Sequence, residues 1–384
     1  MSDVAPLVSV SRKKKSVFAI ITTAFVVLLV LGAGELILRL FYKKIDHITG
    51  VAEWNASVSE EGEQEFEYNW DLYHPRYGWT NAPNYRSDAR APYQVRINGQ
   101  GLRADREYTP YPAKGIKRIA VFGDSCTFGE EVENDQTLPS HLELRFKDTE
   151  VLNFGVHSYG LGQMCLRMEE EAFAFHPDHI VVVLLIPPDI IRDFIPNIPH
   201  SKPAFVRKGS ELKIGNTPVP VASQFPWIYR HSFAAAWLFA RPREWPPEIN
   251  VIGIDEAMKV AHAIVRRIQV NCEAHDVGVT IAIIIFNDSA ERYSWDGEMV
   301  EKTDGIRHSL AEAEIDVVDL TEFLVDAVRK NGASLAEKRG HWSGRGNCLI
   351  AEQLAQHLAQ QFPAWKERLV PSTEEACDAQ ENEP

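Results

Sequence analysis

A serine at a glycine-bounded strand end and a histidine just ahead of the last helix are the two side chains suited to act as nucleophile and base. Ser125 lies in Val121-Phe122-Gly123-Asp124-Ser125-Cys126-Thr127-Phe128-Gly129, and His341 opens His341-Trp342-Ser343-Gly344-Arg345-Gly346-Asn347. A hydroxyl becomes an effective nucleophile when a base takes its proton and donors face the oxyanion that develops. Ser125 and His341 would supply nucleophile and base. The backbone N–H groups of Ser125 and Gly155 would supply two oxyanion donors, with glycine at 155 letting a substrate oxygen approach the main chain closely. The segment is not a Gly-x-Ser-x-Gly elbow, because position 127 is threonine. Asp124 is read as organising the turn. Cys126 is read as a small buried neighbour, since no base is evident for a rival thiol.

These residues need a scaffold that brings them to one edge. Arg118–Phe122 is a short apolar run ended by Gly123, the mark of a buried strand. A helix is predicted over Leu138–Phe146, a strand over Val151–Phe154 ended by Gly155, a helix over Gln163–Phe175, and a fully apolar strand over His179–Ile186. Residues 187–250 then interrupt the rhythm with eleven prolines, a long connection of the kind that serves as a functional segment or lid. The alternation resumes with a helix over Ile254–His275, a strand over Val279–Phe286, a helix near Val300–Ala313, a strand over Ile315–Leu320 and a closing helix over Asn347–Gln361. Continuously apolar strands alternating with helices predict an α/β fold with a parallel sheet covered on both faces. Active crevices of such sheets lie beyond the carboxyl ends of the strands. That edge would carry Gly123-Asp124-Ser125, Gly155, Pro187-Pro188-Asp189 and the loop with His341. His176 and His179 flank Pro177-Asp178 and are read as a helix-to-strand corner rather than a metal-ligand pair.

Ahead of this body, Ser16–Gly34 is uncharged, follows Arg12-Lys13-Lys14-Lys15, and continues apolar through Leu36–Phe41. Residues 16–41 are therefore expected to form a transmembrane helix, with 1–15 a cytoplasmic basic segment and the body exported. A cleavable signal peptide is the rival reading, with Gly32-Ala33-Gly34 as small residues at a cleavage point. Residues 45–114 read as a β-rich or irregular membrane-proximal arm, and the acidic tail 372–384 as disordered.

The chain has 384 residues, 45% of them hydrophobic, which excludes disorder of the whole. Its net charge of −14 divides unevenly. Residues 1–44 carry seven Lys and Arg against Asp3 and Glu35, leaving the remainder at −19. An acidic body excludes sequence-independent nucleic-acid binding, which needs clustered cations. Cys126, Cys165, Cys272, Cys348 and Cys377 contain no CxxC pair, so neither a disulfide framework nor a structural zinc site is written here; one disulfide remains open in an oxidising compartment.

The strand-turn segment Val121–Gly129 resembles block I of the SGNH (GDSL-type) hydrolases, and Val151–Gly155 resembles their block II. His341–Leu354 is similar to the final block, in which the catalytic histidine precedes the closing helix. Order and spacing fit over about residues 115–362. The front of the chain resembles membrane-anchored bacterial members at Glu35–Arg39, His74–Trp79 and Ile97–Arg103. The resemblance implies a flavodoxin-like three-layer sandwich, a Ser125–His341 acyl-enzyme mechanism, and no cofactor or metal. Two departures stand out. Pro188 occupies the place of the block III asparagine and offers no donor. Arg339 and Lys338 occupy the places of the triad aspartate. Glu337, Asp189, Asp193 or Asp319 are candidates to replace the acid, and His157 or Asn197 to replace the donor.

Two functional classes follow. One is a membrane-anchored serine esterase acting on O-acyl esters, with O-acetylated glycans as one substrate class, or a polysaccharide O-acetyltransferase of similar chemistry. The other is a catalytically silent SGNH-fold protein that binds glycan or an envelope partner. The sequence leaves the oligomeric state open.

Overall fold

The computed structural model describes residues 12–41, 70–186, 188–194, 202–219, 254–285, 310, 315–331, 335, 341–371 and 377. The chain divides into two compact units, one formed by residues 1–63 and 221–243, the other by 64–220 and 244–384. The described part of the first is α1 (Arg12–Phe41). Its segment Ser16–Ile37 has a mean hydropathy of 2.6, and its most apolar stretch contains no buried residue. By length and composition it can cross a bilayer.

The second unit is built on five parallel strands: β3 (Lys117–Phe122), β4 (Thr149–Asn153), β5 (His179–Ile186), β8 (Gly278–Ile285) and β9 (Asp316–Asp319), in the order β4-β3-β5-β8-β9. Register is set by Val121 opposite Asn153 on one side and Val181 on the other, with Val183 opposite Ala282 further along. This is the α/β sandwich expected. Strand order reverses at β3, whose neighbours are the strands that follow it first and second, so the crevice opens at its carboxyl end.

The strands are apolar on both sides because both are covered. Ile119, Val121, Val181, Val183, Leu185, Ala282 and Ile284 point to one face. They pack with Leu138 and Leu142 of α3 (Leu138–Leu144) and with Ile350, Leu354 and Leu358 of α8 (Gly344–Gln361). The alternate residues Ala120, Ile180, Val182, Leu184, Ile281 and Ile283 are equally buried. On their side lie α4 (Leu161–Glu171) and α6 (Ile254–Ala274), which pack on one another.

Several expectations change. The helix expected to run to Phe175 ends at Glu171 and tightens into a 3-10 turn at Ala172–Phe175. His176 then turns left-handed (φ 48°), and His179 opens β5 with Nε2 at 2.9 Å from Thr280 Oγ1, so the two histidines do form a corner. Within 187–250 the chain forms a hairpin, β6 (Ala204–Lys208) and β7 (Glu211–Gly215). An additional helix, α7 (Thr321–Asn331), follows β9. The expected helix at 300–313 lies outside the described residues except Leu310. The described part of the arm contains a short antiparallel pair, β1 (Asp71–His74) with β2 (Gly78–Asn81).

Of the tail expected to be disordered, Cys377 is described. It is buried and disulfide-bonded to Cys348 on α8, packed with Ala327, Leu335 and Leu349, so the chain is pinned there. The bond closes a loop with a sequence separation of 29, which corresponds to roughly 3–4 kcal/mol of loop-closure entropy. Replacing Cys377 by serine is expected to lower the unfolding free energy by about that amount, measurable by denaturant titration without reductant. Equal stability of the two proteins would show that the tail is not tied down.

Candidate active site

Ser125 begins a four-residue helix, α2 (Ser125–Phe128), immediately after β3. Asp124 caps it, its Oδ1 accepting the Cys126 N–H at 2.9 Å, and Gly129 ends it in the left-handed region at φ 86°. The turn role expected of Asp124 is thus filled. Ser125 is 9% exposed, at the rim of the buried strand end. Its N–H makes no hydrogen bond to a described residue. Cys126 is buried, and burial together with Asp124, Asp189 and Glu130 pushes its thiol well up, which keeps it protonated and unreactive.

Asn153 at the end of β4 holds α2 from beneath. Its Nδ2 donates to Thr127 O at 3.0 Å and Phe128 O at 3.3 Å, and its Oδ1 accepts the Gly155 N–H at 2.9 Å. That last bond gives the Gly155 N–H, expected as an oxyanion donor, an acceptor within the chain. Glycine is needed there for packing. A Cβ on Gly155 would stand 2.3 Å from Phe128 N and 2.7 Å from its Cα. Because the obstacle is backbone, Gly155→Ala is expected to cost about 1–3 kcal/mol or more and to displace the Ser125 turn. A thermal melt unchanged from the parent would contradict that packing.

His341 arrives from the far end of the chain. Ser343 caps α8 by accepting the Gly346 N–H at 3.2 Å, and Trp342 is buried in the core under β3 and β5, so the residue before them is fixed at the crevice. Asn347 Nδ2 donates to Gln136 O at 3.1 Å, tying the start of α8 to the 3-10 turn Asn134–Gln136 that follows the Ser125 turn.

Two carboxylates that follow α2 and its Gly129 cap meet the imidazole. Glu131 Oε2 lies 2.9 Å from Nδ1, a hydrogen bond, and Glu130 Oε2 lies 3.4 Å from Nε2. The Glu130 N–H bonds Ser125 O at 3.1 Å, so both glutamates follow directly on the serine turn. Glu131 has φ 66°, the left-handed region, which costs a side-chain-bearing residue about 1–2 kcal/mol. Arg103 from the arm supports this backbone. Its guanidinium is buried and donates to Gly129 O at 3.0 Å, Val132 O at 2.7 Å and Asn134 Oδ1 at 2.7 Å.

None of the described acids expected to serve the histidine is bonded to it. Asp189 is fully buried, its Oδ2 accepting the Leu185 N–H at 2.7 Å and its Oδ1 meeting Arg192 Nη1 at 2.7 Å. Asp193 Oδ1 accepts the Gly162 N–H at 2.8 Å, and Asp319 Oδ1 the Thr321 N–H at 2.9 Å. Each carboxylate is recruited by a backbone N–H away from His341. Glu337, Lys338, Arg339 and Asn197 lie outside the described residues. Pro188 does stand at the first position of a short helix, α5 (Pro188–Ile191).

Close to Pro188, which fills the place of the block III asparagine, stands a cation, Arg192, bonded to Asp189. Arg192 Nη1 also reaches Asp124 Oδ2 at 3.0 Å and Tyr159 O at 3.2 Å, joining the ends of β3, β4 and β5. His157, the other suggested donor, is buried against Asp71 of the arm, Nδ1 to Oδ1 3.2 Å. Burial disfavours charge on that ring, but the Asp71 carboxylate outweighs it and the pKa rises.

No family model matches the chain, and no curated protein does. Among solved structures it is similar to a lipolytic protein of the G-D-S-L family from Desulfitobacterium hafniense DCB-2, at 15% identity over 63% of this chain and 99% of that one, TM-score 0.39. It is similar also to a G-D-S-L family member from Veillonella parvula DSM 2008, at 15% identity over 64% and 98%, TM-score 0.38. A lipase/acylhydrolase from Enterococcus faecalis matches at 12% identity over 67% and 100%, TM-score 0.39.

Proposed function

We propose that the chain is a membrane-anchored serine esterase that cleaves O-acyl esters through a Ser125 acyl-enzyme. The observation that carries this reading is a serine turn at the carboxyl end of β3 whose own continuation delivers a hydrogen-bonded carboxylate to His341. Ser125 Oγ attacks the acyl carbonyl carbon while His341 Nε2 takes its proton. The tetrahedral intermediate collapses, the C–O bond to the alcohol breaks, and the alcohol leaves with that proton. Water then attacks the acyl-serine by the same base, releasing the acid and regenerating Ser125. A sugar hydroxyl in place of water makes the same chemistry an acyl transfer. The Ser125 N–H is the candidate oxyanion donor.

The apolar span of α1 supports a tether to the membrane, and the basic residues ahead of it support an exported body. The Cys348–Cys377 bond supports the same placement, because disulfides persist outside the reducing cytosol. An exported, tethered esterase meets O-acylated glycans, which makes them the substrate class to try first.

One observation favours the second reading, a silent binding protein. Glu130 Oε2, at 3.4 Å, faces the nitrogen that has to meet the serine hydroxyl. The test is hydrolysis of p-nitrophenyl acetate and acetylated oligosaccharides by the full chain in detergent. Release of acetate by the parent protein and none by Ser125→Ala is the expected result. No release from any ester by a folded protein, together with glycan binding, would favour the second reading.

A further inference from the structure

We propose that Glu131 is the positioning carboxylate of His341, supplied by the serine turn itself rather than by the residues just ahead of the histidine. This rests on the Ser125–His341 reading above and names the acid which that reading lacks. Glu131 Oε2 lies 2.9 Å from His341 Nδ1, with side-chain exposures of 11% and 15%, so the pair is largely shielded from water. A carboxylate can only accept, so Nδ1 donates, and the neutral ring then carries its lone pair on Nε2, the tautomer a base needs, where Glu130 Oε2 at 3.4 Å is the group that the serine hydroxyl has to displace. Once Nε2 takes the serine proton, the same carboxylate faces the imidazolium.

The backbone adds an independent observation. Glu131 occupies the left-handed region at φ 66°, where glycine is the default residue, yet a long acidic side chain stands there and reaches a histidine 210 positions away. The strained backbone is braced on both sides, by the three Arg103 bonds to residues 129, 132 and 134 and by the Asn347 bond to Gln136. The device therefore fixes the carboxylate and the start of α8 against each other. The described alternatives, Asp189, Asp193 and Asp319, are each held on backbone N–H groups elsewhere.

The left-handed backbone makes a clean test available, since Glu131→Gly removes the carboxylate at a position whose conformation glycine prefers. The full chain in detergent is treated with a fluorophosphonate, and the rate of Ser125 labelling is followed across pH for the parent, Glu131→Gly, Glu131→Gln and Glu131→Asp. A fall of about 10²–10⁴ in rate for the glycine and glutamine variants, with cooperative unfolding retained and partial rescue by aspartate, is the expected outcome. Labelling of Glu131→Gly at the parent rate and with the parent pH profile would overturn the proposal. A low-field proton NMR resonance from His341 Nδ1–H separates the two levels of the reading. It is expected in the parent and lost in both Glu131→Gly and His341→Ala. If the parent protein has the resonance but never labels, the Ser125 reading fails and the pair is structural. If Ser125 labels but the resonance survives in Glu131→Gly, the positioning role fails alone.

Discussion

Arg192→Leu is expected to remove about 3–5 kcal/mol of folding free energy, the largest stability loss anticipated for any single side chain of the crevice. Arg192 Nη1 meets Asp189 Oδ1 at 2.7 Å, Asp124 Oδ2 at 3.0 Å and Tyr159 O at 3.2 Å. Asp189 is fully buried, and Asp124 is 2% exposed. Making such a buried cluster gives little net stability, because desolvation offsets the attraction; breaking one partner leaves a carboxylate without water or counterion. The loss should also depend on pH. Burial, then repulsion from Asp124, already pushes the Asp189 pKa well up, and removing the cation raises it further. A carboxyl raised in the folded state stabilises the fold at low pH and loses that contribution as pH climbs through its folded value. The deficit of Arg192→Leu is therefore expected to be smaller near about pH 5 than near about pH 8. Adding Asp189→Leu should recover part of it, because the two residues share one interaction. Denaturant titrations at the two pH values measure all of this; additive losses in the double variant would contradict the cluster.

The largest effect on chemistry is expected at Ser125 and His341. Either alanine variant should lower ester hydrolysis by roughly 10⁴–10⁶, and the double variant should be no worse than the poorer single one. Nucleophile and base act as one unit, so the second removal takes away nothing further. Multiplying losses in the double variant would mean that the two residues contribute separately, and that His341 is not the base for Ser125. Ser125→Ala should melt near the parent temperature, because Ser125 Oγ makes no hydrogen bond to a described residue; His341→Ala should melt lower, because it strips the ring from between the Glu130 and Glu131 carboxylates.

The parts of this site that could be read in the sequence are those fixed by local chemistry. A run such as Arg118–Phe122 ended by Gly123-Asp124-Ser125 specifies a buried strand and a capped turn, and both are present. The closing helix was legible from its apolar period, though its start lies at Gly344 rather than Asn347 because Ser343 provides the cap. Two missed elements did leave signals. The hairpin Ala204–Gly215 alternates around Gly209, left-handed at φ 67°, and α7 carries Leu324 and Ala327 on one face beneath the Asp319 cap of Thr321. Proline content in the first case, and the short strand just before it in the second, obscured them.

What the sequence could not disclose are contacts made across the fold. Glu131 and His341 are 210 residues apart, and nothing in Gly129-Glu130-Glu131 says where its carboxylates point. The same holds for Cys348 with Cys377, and for Arg103, whose three acceptors lie 26 to 31 residues away. The Gly155 N–H, expected as an oxyanion donor, is bonded to Asn153 Oδ1. Glycine there answers a need for close packing against Phe128, which is invisible until β4 and α2 are laid side by side.

Activation of Ser125 by His341 is read out by treating the full chain in detergent with a fluorophosphonate and locating the adduct by peptide mass spectrometry. One adduct is expected, on Ser125, competed by a small acyl ester and absent from both Ser125→Ala and His341→Ala. A folded protein that takes no adduct, or takes one elsewhere that persists in Ser125→Ala, would contradict it.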